Sequence, residues 1–394
     1  MSKSRLPAIL MVTYSDPDIF SPIINSARLL ARNGYRVHIL GYHRGRANTV
    51  EYGDGIELIR GNNPPGGWPG TIVEKIAGFY NLKRKITELV RTNSYSLVVG
   101  HDSVGFWAAA KICLSAKIPI IYHCHDFSHS ARPFMSISNF GDRIASLSSK
   151  LACSADAVIF PEQSRAAWAS LTWRLSVPVF VAANAPLKQP LRKSDTLKKM
   201  FIKNGFEPEH IIVRKGVISF EQGVKETIEA LTLCPPAWGL ALIGFEDPTA
   251  IKELARKNGV ERQIMFPGFI PYDSTWDYIS SADVGLSIYR PSNINTIMQA
   301  TASQKVFEYM ACGIPSIAYG TPDFLCLARE TKAIFTIKSI TPEAIAEGLK
   351  EVLLNRAAYK NMCANAHIVH SNTFNYEVQY GPVIEFIDMI CKKI

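Results

Sequence analysis

At 394 residues the chain is long for one hydrophobic core and suited to two, since domains commonly run to about 100–200 residues. Its 47% hydrophobic and 20% charged residues, with no low-complexity tract, are those of an ordinary globular protein. Forty-three basic against 34 acidic residues leave a net charge of +9 with no charged tail, which suits an anionic partner but does not choose among a phosphorylated ligand, an acidic membrane surface and nucleic acid.

The first residues, Met-Ser-Lys-Ser-Arg-Leu-Pro, lack the apolar core and small-residue cleavage site of a signal peptide, and no apolar run reaches the ~18–20 residues that span a bilayer. Ala8 to Thr13 reads as a buried strand. Ser21 is expected to cap a helix with Pro22 in its first turn and Ile23, Ala27, Leu30 and Ala31 on its apolar stripe. Asn33-Gly34 stops that helix and Val37 to Leu40 begins the next strand, which completes one βαβ unit. Gly61 to Gly70 is rich in glycine and proline and predicts an exposed loop. Asn81 to Ile86 opens an amphipathic basic helix that either covers a sheet or rests on acidic lipid. Strands follow at Leu97–Gly100, Pro119–His123, Ala157–Phe160 and Val177–Val181, with helical stretches between, Phe106–Ala116 among them.

The polar, proline-containing stretch Ala185–Asp195 reads as a linker, and a second series of the same kind follows it. Strands are expected at Ile211–Val213, Leu240–Ile243, Ile264–Phe266, Val284–Ser287 and Ser316–Ala318. A helix runs from about Val224 to Leu233, and Glu377–Lys393 reads as a closing amphipathic helix. Alternating strands and helices predict an α/β protein with two parallel sheets covered by helices, and a ligand cleft at the carboxyl ends of the strands. The eight cysteines are scattered without a Cys-x-x-Cys pair, which points to a reducing compartment and no disulfide frame.

Residues 303–318, Ser-Gln-Lys-Val-Phe-Glu-Tyr-Met-Ala-Cys-Gly-Ile-Pro-Ser-Ile-Ala, describe a short helix between the N-cap Ser303 and the stop at Gly313-Ile314-Pro315, feeding a buried strand. Lys305 opposes the helix dipole in the first turn, a placement that makes sense if it and the helix N-terminus hold a phosphate together. Glu308, one turn on, suits a ribose diol. On spacing alone the pair is equally a surface lysine and a surface glutamate of a packing helix.

This string resembles the nucleotide-binding helix of family 4 of the retaining GT-B glycosyltransferases, the group 1 glycosyl transferases. The resemblance extends to Ala282-Asp283-Val284-Gly285-Leu286, to Phe266-Pro267-Gly268-Phe269, to Gly216 through Gly223 with the helix that follows, to Asn184 before the linker, and to Tyr122-His123-Cys124-His125-Asp126 in the first half. It implies a GT-B fold of two Rossmann-like domains facing across a cleft. Residues 1–185 would form the acceptor domain, 186–376 the nucleotide-sugar domain, and 377–394 a helix returning toward the first. Glu308 would bind the donor ribose. Lys305, with Ser303 and Gln304 at the helix start, would face the diphosphate. Gly216 would lie beneath the phosphates, Phe269 and Ile270 would border the base, and His125 would approach the reacting sugar.

The chain departs from the family pattern at Ala300, where many members carry the first glutamate of a Glu-x7-Glu pair, and at Val217 and Gln222, where many carry basic phosphate ligands. It therefore resembles the subgroup that lacks that first glutamate. Arg214 or Lys215 could compensate, or simply be exposed on the strand edge.

Other chemistry competes for the same residues. His101, Asp102, His123, His125 and Asp126 could form a metal site, although no His-Glu-x-x-His spacing supports one; His101 and His123 read as satisfied strand-end histidines. Asp16-Pro17-Asp18 reads as turn chemistry rather than an Asp-x-Asp metal motif. No phosphate-binding P-loop, dinucleotide fingerprint or nucleophile elbow is present.

The expected activity is a retaining hexosyl transfer from a nucleoside-diphosphate sugar to a glycan or lipid-linked acceptor in surface-polysaccharide biosynthesis. No cofactor, metal or nucleic acid is expected, and the protein is expected in the cytoplasm, with contact to the inner membrane face left open. A sugar-nucleotide epimerase of the same fold and a non-catalytic nucleotide-sugar scaffold are the alternatives.

Overall fold

The computed structural model describes residues 6–42, 50–61, 72–127, 140–244 and 247–391. The chain divides into two compact units, residues 1–183 with 379–394, and residues 184–378.

The first unit holds strands β1 (Ala8–Val12), β2 (Arg36–Tyr42), β3 (Ile56–Gly61), β4 (Leu97–His101), β5 (Ile120–His123), β6 (Ala157–Phe160) and β7 (Val179–Val181). They form one parallel sheet in the order β3-β2-β1-β4-β5-β6-β7. Helices α1 (Ser21–Arg32), α2 (Ile72–Thr92), α3 (Asp102–Ala116), α4 (Phe140–Leu151) and α5 (Gln163–Trp173) complete the crossovers. β1 and β4 are buried at every position, as expected of central strands covered on both faces. The order reverses between β1 and β4, so the crevice at that switch point opens at the carboxyl ends of these strands.

The second unit repeats the plan with β8 (His210–Lys215), β9 (Trp238–Ile243), β10 (Ile264–Met265), β11 (Val284–Ser287), β12 (Ser316–Tyr319) and β13 (Ile334–Ile337), ordered β10-β9-β8-β11-β12-β13. All the pairings are parallel. Its helices are α6 (Thr196–Lys203), α7 (Val224–Leu231), α8 (Thr249–Lys257), α9 (Thr275–Ile279), α10 (Ile294–Ile297), α11 (Gln304–Ala311), α12 (Pro322–Thr331), α13 (Pro342–Leu354) and α14 (Arg356–Asn372). Trp238, Leu240, Leu242, Val284, Leu286 and Ile317 pack into one core with Ile228 and Leu349 of the covering helices. Gly285 is where α11 meets the sheet: a Cβ there would come within 2.2 Å of the Tyr309 ring, so a side chain on β11 would push the helix off.

The expected α/β architecture of two parallel sheets is therefore observed. Several local expectations are corrected. Ser21 is the first helical residue rather than the cap; Phe20 takes the cap position, and the Ser21 hydroxyl is buried. Asn81 does not open a helix but lies inside the 21-residue α2, where Phe79, Leu82, Ile86 and Leu89 form the buried stripe. Gly61 ends strand β3 instead of starting a loop, and residues 62–70 of the expected loop lie outside the described residues.

β3 and β13 were not anticipated. β3 is an edge strand interrupted by Glu57 and Arg60, and β13 has only four residues. The closing helix is two helices, α15 (Tyr376–Gln379) and α16 (Gly381–Cys391). Pro382 has no N–H to donate to a continuous helix but is tolerated in a first turn, so the first helix ends and a second starts around Tyr380. Residues 185–195 have no regular structure but are held within the second unit. The Tyr376 N–H donates to the Pro186 carbonyl (2.8 Å), and the Lys188 N–H to the Glu377 carboxylate (2.9 Å).

Candidate functional site

In the second unit the carboxyl ends of β8, β9 and β10 and the start of α11 converge. The Gly216 N–H donates to the Ile243 carbonyl, and the Gly244 N–H to the Gly268 carbonyl, which holds the three loops side by side. Gly216 has φ +106°, a conformation that L side chains rarely adopt. A Cβ there would meet Lys305 Nζ at 3.5 Å. Gly216 and Lys305, 89 positions apart in the chain, are thus brought together.

Lys305 and Glu308 are not surface residues of a packing helix. They are 8% and 1% exposed. Lys305 Nζ lies 4.6 Å from the centroid of the Tyr289 ring, whose negative face steadies the cation at the helix N-terminus. One oxygen of Glu308, Oε1, accepts hydrogen bonds from Lys215 Nζ and Gln304 Nε2, each at 2.6 Å. Its other oxygen, Oε2, is buried with no hydrogen-bond partner among the described residues. A buried carboxylate oxygen left without a donor is costly and marks a place where a ligand hydroxyl would be gained.

Ser303 precedes the helix as expected, but its hydroxyl does not cap it. It shares a 2.8 Å hydrogen bond with the Tyr289 hydroxyl, which fixes the tyrosine beneath Lys305. The side chain of Gln304 is turned onto Glu308. Phe269 and Ile270 are half-buried just beyond β10, next to Gly268 at φ +79°. Ala300 is buried in the turn before α11, and the Asn184 side chain donates to the Ala302 carbonyl at 2.9 Å, pinning that turn.

Neither Arg214 nor Lys215 is exposed on the strand edge. Arg214 is fully buried and donates to the Ile288 carbonyl and to Gln222 Oε1, at 3.2 and 2.6 Å, so Gln222 holds this arginine in place. Lys215 pairs with Glu308 instead. Val217 is exposed. Tyr289 was not singled out from the sequence; the only hint is a large aromatic residue just past the Val284–Ser287 strand.

In the first unit, His101 and His123 end adjacent strands and are direct register partners, and His125 lies two residues further on. Their rings cluster, with centroids 4.1 Å apart for His123–His125 and 5.1 Å for His101–His123. His101 Nδ1 and His125 Nε2 are 3.0 Å apart and share one proton between them. His101 and His123 are not satisfied strand-end histidines, because among the described residues His101 Nε2 and both nitrogens of His123 are buried with no partner. Burial keeps all three imidazoles neutral: His125 is pushed down to about 4, and His101 and His123 fall well below the usual range.

Asp102, in left-handed conformation at φ 53°, accepts the His125 backbone N–H at 3.0 Å and so fixes the turn that carries His125. Burial raises its carboxyl to about 6. Arg165 of α5 donates to the His125 carbonyl and, at 2.9 Å, to Asp126. The alternate residues Tyr122 and Cys124 line a separate cavity of about 170 Å³ with Ser103, Trp168 and Trp173. Asp16 and Asp18 are tied into a turn: Asp16 accepts the Asp18 N–H, and Asp18 pairs with Arg60 at 2.9 Å and accepts from the Tyr52 hydroxyl. All eight cysteines are free thiols, and among the described residues no helix is long and apolar enough to cross a membrane.

Comparison with known proteins agrees with this arrangement. Residues 195–368 match the family model of glycosyl transferases group 1, and residues 23–184 match that of glycosyltransferase family 4. No curated protein matches the chain significantly in sequence. Among solved structures it is similar to sucrose-phosphate synthase from Thermosynechococcus elongatus, with a TM-score of 0.77 and 16% identity over 99% of this chain and 100% of that one. It is also similar to Anabaena HepE in complex with UDP and glucose, with a TM-score of 0.76 and 17% identity over 98% and 100%. WaaG, a glycosyltransferase involved in lipopolysaccharide biosynthesis, gives 0.67 and 17% over 97% and 99%. At these identities the likeness establishes the shared GT-B fold.

Proposed function

The chain belongs to the group 1 glycosyltransferases of GT-B type, and from that premise we propose that it transfers a hexosyl group, with retention, from a nucleoside-diphosphate sugar to a hydroxyl of a glycan or lipid-linked acceptor. The observation that carries this reading is the unpartnered, buried Oε2 of Glu308, three residues along α11 from Lys305, at the carboxyl ends of β8 and β9. Glu308 would accept the donor ribose hydroxyls, and the tight backbone at Gly216 would let the diphosphate approach Lys305. Phe269 and Ile270 would border the base. The UDP in HepE makes a uridine nucleotide the first donor to try.

In this reaction the acceptor oxygen bonds to the anomeric carbon as the bond from that carbon to the leaving phosphate oxygen breaks. The acceptor proton passes to that departing oxygen on the same face, so no strong protein base is required. Lys305 and the α11 N-terminus stabilise the charge that develops on the diphosphate, which is preorganised electrostatic catalysis without a bound metal. The turn that carries His125, held by Asp102, would face the sugar. The exposed Val73, Ile76 and Tyr80 on α2, close to Lys83 and Arg84, support a peripheral contact with acidic lipid on the cytoplasmic membrane face, where surface-polysaccharide acceptors are made.

The test is thermal shift and calorimetry with UDP, GDP, ADP, CMP and their sugar conjugates, with and without EDTA, followed by product analysis. One nucleotide family should stabilise the protein regardless of EDTA, with nucleoside diphosphate released only when an acceptor is present. A changed donor sugar without release would instead identify an epimerase, and binding without turnover against any acceptor a scaffold. Stabilisation by none of the nucleotides would overturn the reading.

A further inference from the structure

We propose that His101, His123 and His125 form a binding site for a borderline divalent transition metal, with Zn2+ as the representative ion. The three side chains come from the ends of two neighbouring parallel strands and the turn just past them, and each offers a ring nitrogen within 4.8 Å of the other two. Tetrahedral zinc with bonds of about 2.0–2.1 Å sets its nitrogen ligands about 3.3 Å apart. The 3.0 Å separation of His101 Nδ1 and His125 Nε2 needs only to open slightly, and His123 offers a nitrogen within 4.8 Å of one on each of the other two rings.

The polar balance of the cluster points the same way. Among the described residues, only the His101–His125 pair of its six ring nitrogens is engaged, and the other four are buried without a partner. His123 has neither nitrogen bonded to a described residue although it is fully buried. Natural cores rarely leave such groups unmet, and an ion is one of the few things that satisfies several imidazoles at once.

The turn is also fixed from outside. Asp102 accepts the His125 N–H, Arg165 donates to the His125 carbonyl, and the Tyr380 ring stacks 6.0 Å from His123. An all-imidazole donor set suits Zn2+, Co2+, Ni2+ or Cu2+ and not Mg2+, so this site is chemically distinct from a Mg2+ that bridges a diphosphate. It lies in the first unit, whereas Lys305 and Glu308 belong to the second.

The experiment uses the full-length, tag-free protein, stripped with chelator and then titrated with Zn2+ by calorimetry and with Co2+ by visible absorption. One equivalent of Zn2+ should bind, and Co2+ should give ligand-field bands that Zn2+ abolishes. His123→Ala and the size-conserving His123→Gln should each weaken binding by more than the ~10- to 100-fold that losing a mere outer-shell partner costs. Substitution of the partly exposed His210 or of His367 should leave it unchanged. Zinc-edge X-ray absorption of the wild-type complex counts the imidazoles without any variant: three support the site, and two or fewer overturn it. Absence of stoichiometric binding to the folded wild type, or binding indifferent to both His123 substitutions, overturns it equally.

Discussion

Replacing Glu308 by alanine separates donor recognition from packing. The side chain is 1% exposed, and its Oε1 takes two 2.6 Å hydrogen bonds, from Lys215 and Gln304, while Oε2 has none. Stability therefore depends on one oxygen and, in our reading, donor binding on the other. A hydrogen bond to a charged group contributes about 1.5–3 kcal/mol, so one ribose hydroxyl lost at Oε2 weakens donor binding roughly 10- to 150-fold. Breaking a fully buried ion pair costs about 3–5 kcal/mol. Here the Lys215 side chain is 16% exposed and can turn toward water, so the folding cost should stay nearer ~1–3 kcal/mol.

Glu308→Gln keeps the shape and one carbonyl oxygen, so it should fold better than the alanine variant and still lose part of the affinity. The assay is isothermal titration with the nucleotide that stabilises the wild type, beside urea unfolding of all three proteins. A folded Glu308→Ala that binds donor with unchanged affinity would refute the assignment of Oε2 to the ribose.

Gly216→Ala forces an L side chain into φ +106° and places a Cβ 3.5 Å from Lys305 Nζ; it should cost about 1–2 kcal/mol of stability and weaken nucleoside-diphosphate binding more than nucleoside binding, read by titration with both ligands. His370 is fully buried and neutral, sharing hydrogen bonds with the Phe374 carbonyl and the Gln189 N–H, and burial lowers it to about 4 from the ordinary 6.5. Because the unfolded chain binds the proton more tightly, stability should fall as the pH drops from 6.5 through 4, by at most roughly 3 kcal/mol for this residue. Urea midpoints measured across that range should flatten in His370→Gln, and an unchanged slope would exclude His370 as a source of acid sensitivity.

Much of the fold was legible because its signals are local. Buried parallel strands such as Ala8–Val12 and Val284–Ser287 are short apolar runs bounded by turn residues, and α11 lies between a serine and a glycine followed by proline. The edge strands β3 and β13 escaped because an edge needs less hydrophobic continuity, and Glu57 and Arg60 break the pattern. Ser21 misled because a serine before an apolar stripe satisfies the capping pattern, here one position after the actual cap Phe20.

By itself the sequence determined the alternation that builds two parallel sheets, and the helix that carries Lys305 and Glu308, since both follow from periodicity and capping within a few residues. Only the tertiary structure decided how those groups are employed. It sets Lys215 against Glu308 across 93 positions, lays the Tyr289 ring under Lys305, turns the Ser303 hydroxyl away from its helix, and leaves one carboxylate oxygen open. It likewise gathers three histidines from the ends of β4 and β5. The reason is physical: parallel strands join residues far apart in sequence at one edge of the sheet, and which partner each buried polar atom finds there depends on register and rotamer, which no local pattern encodes.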